Sequence, residues 1–154
     1  TCHQNPWIFW IVPLVLFLRM ALNAIDGMMA REFGQASTLG MYLNELADIV
    51  SDAALILPFA LVPLFPAWSV IIFAILAALT EYAGVLGVMA GGVRRYNGPL
   101  GKSDRALVLG VMAVLIATGT NWPQLFFWAF TLMSILSVLT IINRVRAGIR
   151  EAHP

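Results

Sequence analysis

The chain has 154 residues, of which 60% are hydrophobic and only 11% charged, with a mean hydropathy of +0.86 and a formal net charge of +1. A soluble domain carries about 25% charged residues, so the composition excludes one and points to an integral membrane protein, while the near-zero charge removes any general case for binding nucleic acid. One cysteine, Cys2, permits no internal disulfide, and Cys2 with His3 makes a poor metal site.

The length allows a single domain, 1–154. The chain begins at Thr1 instead of Met, and no short apolar run with a small-residue cleavage site follows, so it reads as N-terminally truncated or processed. Spans of about 20 apolar residues are needed to cross a bilayer, and five are predicted. The first runs from about Trp7 to Met29, the second from Tyr42 to Pro63 and the third from Trp68 to Met89. The fourth, from about Ala106 to Thr118, is short unless it begins near Lys102, and the fifth runs from Pro123 to Ile142. Lipid offers no partner for unpaired backbone groups, so all five should be helices. The expected fold is all-α, a polytopic transmembrane helix bundle with short connections. Pro58 and Pro63 should kink or end the second span, because proline lacks the backbone donor and clashes with the preceding turn.

Orientation follows from the basic residues. Arg31 follows the first span, Arg94, Arg95, Lys102 and Arg105 separate the third from the fourth, and Arg144, Arg146 and Arg150 follow the fifth. The opposite connections, around Phe65 to Ser69 and Gly119 to Gln124, carry no charge, so the basic side should be cytoplasmic. Trp7, Trp10, Trp68 and Trp122 then gather at the other interface as an aromatic belt. The terminal arginines are expected at lipid headgroups.

Acidic residues inside such spans are expensive and mark function by default. Asn23 and Asp26 share a face near the end of the first span; Asn44, Asp48 and Asp52 form a ladder at four-residue steps on the second. Two facing helices would thus present oxygen ligands to one cleft, the kind that hard cations such as Mg²⁺ take together with substrate phosphates. Gly27 and Gly40 remove side chains where a nucleotide would need close backbone approach, and Arg31 can grip a phosphate in fork geometry. Arg19, about 10 Å deeper than Asp26 along the same helix, should face an acidic partner or a wet cavity and serve structure. The stretch from Gly91 to Arg105 combines glycines with Arg94, Arg95, Lys102 and Arg105, which could hold an anion by charge-assisted hydrogen bonds or simply meet anionic lipid.

Asn23-x2-Asp26-Gly27-x2-Ala30-Arg31-x8-Gly40-x3-Asn44-x3-Asp48 resembles the signature of the CDP-alcohol phosphatidyltransferases, D-x2-D-G-x2-A-R-x8-G-x3-D-x3-D, at every spacing. The resemblance implies a six-helix membrane domain, usually a homodimer in a bacterial inner membrane, with the first helix absent here and the active site facing the cytoplasm. It implies transfer of a phosphatidyl group from CDP-diacylglycerol to an alcohol, with release of CMP and dependence on Mg²⁺ or Mn²⁺. It assigns Asn23, Asp26, Asn44 and Asp48 to metal binding, Asp48 also to deprotonating the acceptor hydroxyl, and Gly27, Ala30, Arg31 and Gly40 to the cytidine nucleotide. By the same resemblance Arg94, Arg95, Lys102 and Arg105 belong to the acceptor pocket when the acceptor is a phosphorylated alcohol.

Two positions depart from the family pattern. Asn23 and Asn44 stand where it has aspartates, keeping a carbonyl oxygen but losing the charge. Metal should bind more weakly, as one ion instead of two, with Asp52, Glu45 or Glu81 as candidates to restore charge. Asp52 is the better of the helix-two pair, lying about 40° from Asp48 on a helical wheel. Glu81 would close the site from a third helix. A degenerate relative that binds liponucleotide or metal without turnover, and a transporter using the same acids, are the competing readings.

Overall fold

The computed structural model describes residues 9–32, 37–64 and 66–152, and the side chains of these except residues 23, 24, 26–32 and 152. Five helices account for most of them: α1 (Ile11–Glu32), α2 (Thr38–Ile56), α3 (Ala67–Met89), α4 (Lys102–Ala117) and α5 (Pro123–Ala152). No strand occurs among the described residues, so the all-α expectation holds.

Local chemistry sets the boundaries. Ser37 caps α2, its Oγ accepting from the Gly40 backbone N–H at 3.0 Å. Pro58 stands in the first turn of a short 3-10 helix, Leu57–Leu61, so α2 stops at Ile56 as the prolines predict. The Asp104 carboxylate accepts from the Gly101 N–H at 2.8 Å and starts α4 at Lys102, which gives the fourth helix 16 residues. The fifth helix continues ten residues beyond the predicted Ile142, to Ala152. Beyond Ile142 it carries Arg144, buried against α3, and Glu151, which pairs with Arg95 of the α3–α4 connection. Trp7, at the predicted start of the first span, lies outside the described residues.

α3 packs along α5, α1 against α4, and α2 against α3. Buried residues on α3 fall at Val70, Phe73, Ala77, Thr80, Gly84 and Gly87, and on α5 at Phe126, Phe130, Met133, Ser137, Thr140 and Arg144. Both series alternate steps of three and four, the spacing that keeps one seam of a helix against its neighbour. Toward the uncharged connections the seam is aromatic, with ring centroids of Phe59 and Phe130 5.9 Å apart and those of Phe73 and Phe130 5.8 Å apart. Toward the basic connections it turns polar.

The outward faces are apolar: Phe17, Val50, Ile75, Trp128 and Leu132 are all exposed. Two helices, Ala67–Met89 and Pro123–Glu151, are long and apolar enough to cross a membrane, and α1 contributes a shorter apolar stretch, Ile11–Leu22. The five-span expectation is therefore met in helix number but not in apolar character. α2 falls short because it carries Glu45, Asp48 and Asp52, and α4 because it spans only about 24 Å at 1.5 Å per residue.

The connection from α3 to α4, residues 90–101, is a strap tied across the bundle surface. The Gly92 N–H reaches the Gly87 carbonyl at 3.1 Å, the Arg95 N–H reaches Gly84 at 3.0 Å, and the Leu100 N–H reaches Thr140 Oγ1 at 3.2 Å. A Cβ on Gly84 would stand 2.7 Å from the Arg95 carbonyl oxygen, which explains the glycine there. Gly98 has φ +145 and a Cβ on it would fall within 2.8 Å of the Thr140 Cα, whereas Gly91 has φ +89 with nothing within 4 Å. Gly91→Ala should thus lower stability by only the backbone cost of about 1–2 kcal/mol, and Gly98→Ala by clearly more. Thermal aggregation midpoints in detergent check the order; equal midpoints would show that the strap does not press on α5.

Candidate active site

The buried face of α2 carries Glu45, Asp48 and Asp52, the two aspartates only 7% and 8% exposed. Asp48 pairs with Lys102 from the start of α4, and Arg19 of α1 lies 3.7 Å from it. Arg19 also pairs with Asp52 and donates to the Asp48 backbone carbonyl at 2.9 Å. The acidic partner expected for Arg19 is therefore present. Asp52 is shared with Arg105, whose Nη2 lies 3.1 Å away.

A second acid sits one helix over. Glu81 of α3 is 3% exposed and faces three guanidinium groups: Arg105 at 2.6 Å, Arg94 at 3.1 Å and Arg144 at 3.7 Å. Arg105 also donates to Thr80 Oγ1 at 2.5 Å, and Arg144 donates to the Thr80 carbonyl, its nearest tie to α3. Arg94 reaches the opposite way to Glu45 on α2 and lies 5.1 Å from the centroid of the Tyr96 ring, a cation–π contact. Glu81 and Arg105 thus join α2, α3, α4, α5 and the strap in one buried ionic network.

Sequence-predicted residues divide accordingly. Asp48, Asp52, Glu45, Glu81, Arg94, Lys102 and Arg105 come together. Asn44 does not: it is exposed on α2, because four-residue steps drift about 40° each around a helix, and the buried stripe is instead Glu45, Asp48, Asp52. Arg95 points away from the acids and pairs with Glu151 of α5, whose carboxylate also accepts from the Val93 N–H at 3.3 Å. An extended strap sends neighbouring side chains to opposite sides, so Arg94 and Arg95 cannot serve one pocket. Arg144 is 2% exposed, not at headgroups, whereas Arg146 and Arg150 are exposed. Its signal was legible as Ser137, Thr140 and Arg144, a polar stripe at helical spacing inside an apolar helix. Gly40 lies exposed at the capped start of α2. Asn23, Asp26, Gly27, Ala30 and Arg31 belong to α1, but their side chains lie outside the described residues.

The arrangement is rich in charge: five cationic side chains, Arg19, Arg94, Lys102, Arg105 and Arg144, pair with four carboxylates, Glu45, Asp48, Asp52 and Glu81. Among the described residues no three acidic, histidine or cysteine side chains form a metal cage. Asp48 nevertheless already draws the positive charge of Lys102 and Arg19 to its oxygens. A hard divalent ion therefore fits its chemistry, as one ligand of an incomplete set.

A profile of the CDP-alcohol phosphatidyltransferases matches residues 2–138. The chain is 46% identical over 143 residues to the inner membrane protein YnbA of Escherichia coli strain K12, covering 93% of this chain and 71% of that one. It is 27% identical over 133 residues to the archaetidylinositol phosphate synthase of Pyrococcus horikoshii, covering 86% of this chain and 66% of that one. No solved structure matches.

Proposed function

The chain belongs to the CDP-alcohol phosphatidyltransferase family, and from that premise we propose that it moves a phosphatidyl group from CDP-diacylglycerol to an alcohol in phospholipid synthesis. The observation that supports this best is Asp48, the last residue of the signature, buried at the cleft between α1, α2 and α4 with cationic groups beside it. In the reading offered, the acceptor hydroxyl oxygen forms a bond to the phosphorus bearing the diacylglycerol, and the pyrophosphate bond breaks to release CMP. Asp48 accepts the hydroxyl proton. Gly27, Ala30, Arg31 and Gly40 would take the nucleotide, and Lys102 would turn from Asp48 toward the phosphates. A Mg²⁺ or Mn²⁺ ion held by Asp26, Asp48 and the Asn23 carbonyl, with Asp52 as a further ligand and Asn44 only if α2 turns, would supply Lewis-acid charge stabilisation. Arg19 and Arg105 keep Asp52 and Asp48 in place.

The bundle is read as one domain, 1–154, crossing the inner membrane five times as a homodimer, with the basic ends and the cleft at the cytoplasm. Burial of the charges of α2 and α4 against one another is what makes such spans tolerable in lipid.

The test is CMP release from CDP-diacylglycerol by purified protein, with an alcohol panel and with or without Mg²⁺. Release that needs both an alcohol and the ion is expected; neither release nor nucleotide binding with any alcohol would end the reading. A second reading, liponucleotide binding without turnover, draws on Asn23, Asn44 and the full ion pairing of the described acids. It requires an inactive parent that the double change Asn23→Asp and Asn44→Asp makes active.

A further inference from the structure

We propose that Lys102 is a displaceable counter-ion that keeps a divalent ion off Asp48 until the liponucleotide binds, so that ion and liponucleotide load together; the inference rests on the phosphatidyl-transfer reading above. Of the five cationic side chains in the network, four are tied at more than one point. Arg19 holds Asp52 and the Asp48 backbone carbonyl, and Arg94 spans Glu45 and Glu81. Arg105 meets Asp52, Glu81 and Thr80, and Arg144 meets Glu81 and the Thr80 carbonyl. Lys102 differs. Among the described residues Asp48 Oδ1 is its one partner, and its side chain is 20% exposed against 2% for Arg105 and Arg144. It is the first residue of α4, where the strap ends. A lysine is a compact charge on a flexible four-carbon stem, so it can leave a single acceptor where a guanidinium fork held by several cannot.

The oxygen that Lys102 holds is crowded with positive charge, since Arg19 Nη2 also lies 3.7 Å from Asp48 Oδ1. A divalent ion approaching this carboxylate meets two like charges at close range. Five cations against four carboxylates leave no surplus negative charge to offset them, and Asn23 and Asn44 of the signature add none. Binding to the protein alone should therefore be weak. The pyrophosphate of the liponucleotide brings negative charge and offers Lys102 a second acceptor of charge-assisted hydrogen bonds. Once Lys102 turns to it, Asp48 is open to the ion. By linkage, the ion then raises the affinity for liponucleotide by the same factor as the liponucleotide raises that for the ion. Phosphates are themselves ligands of hard cations, so coupling alone does not implicate Lys102, and a variant must.

The experiment follows Mn²⁺ binding to the full chain in detergent by loss of the free-ion electron paramagnetic resonance signal, with and without CDP-diacylglycerol, with no alcohol present and against a protein-free blank. The parent should bind Mn²⁺ about tenfold or more tightly with the liponucleotide than without it. Lys102→Met, which keeps the stem and removes the charge, should bind Mn²⁺ about tenfold more tightly than the parent when no liponucleotide is present, and gain correspondingly less on its addition. Lys102→Arg, which keeps the charge, should bind no more tightly than the parent. A lysine that only gripped phosphate, or only held the fold, would give no such gain on removal, so an unimproved Lys102→Met overturns the assignment. Equal Mn²⁺ affinity of the parent with and without liponucleotide overturns the coupling, and needs no variant to fold. CMP release that persists without any divalent ion sinks this inference alone, whereas no release with any alcohol sinks the transfer reading and this inference with it.

Discussion

Asp48→Asn should lower kcat for CMP release by roughly 10²–10⁴-fold, the usual contribution of a positioned general base. Asparagine has the same shape and can still accept a hydrogen bond from Lys102, so the fold and the helix contacts are preserved. What it loses is the basic oxygen proposed above to take the acceptor proton. The effect should fall on kcat with little change in KM for CDP-diacylglycerol, since the nucleotide is assigned to other residues. Asp104→Asn is the matched control: that carboxylate is exposed and caps α4 through the Gly101 N–H, so its loss should leave kcat within about twofold while lowering stability by about 1 kcal/mol. An Asp48→Asn enzyme within tenfold of the parent would remove Asp48 as the base.

The signature was legible because its spacings survive even where two aspartates became asparagines. α3 was legible almost to the residue, since an apolar run bounded by Pro66 and by Gly91-Gly92 leaves little freedom at either end. The face of α2 was harder. A four-residue ladder through Asn44 drifts about 80° over two steps, whereas the 3-plus-4 path from Glu45 through Asp48 to Asp52 returns within about 20°. That arithmetic selects the buried acids seen here. The end of α5 does not follow from span length, although Ser137, Thr140 and Arg144 mark its buried side in the sequence. What no sequence pattern could supply is the pairing of cations with acids across elements. Lys102 to Asp48 and Arg94 to Glu45 join positions 54 and 49 residues apart, and depend on how the helices pack.

Arg105→Leu should be the most destabilising single change in the protein, by about 3–5 kcal/mol, the range for removing one partner of a buried ion pair. Arg105 is 2% exposed and its guanidinium touches Asp52, Glu81 and Thr80 from three directions. Leucine fills part of the space but leaves Asp52 to Arg19 alone and Glu81 to Arg94 and Arg144. Arg105→Lys keeps the charge yet cannot present the planar fork that reaches several acceptors at once, so it should fall between leucine and the parent. Pairing Arg105→Leu with Glu81→Leu removes a charge from each side, and the double variant should lose less than the sum of the singles, because contacting residues couple. Thermal aggregation midpoints and detergent unfolding of the parent and the four variants measure this directly. If Arg105→Leu melts with the parent, the buried network does not hold α4 to α2 and α3. A network of this kind contributes little net stability over a well-packed apolar core, so its place beside Asp48 is accounted for by the proposed reaction better than by stability.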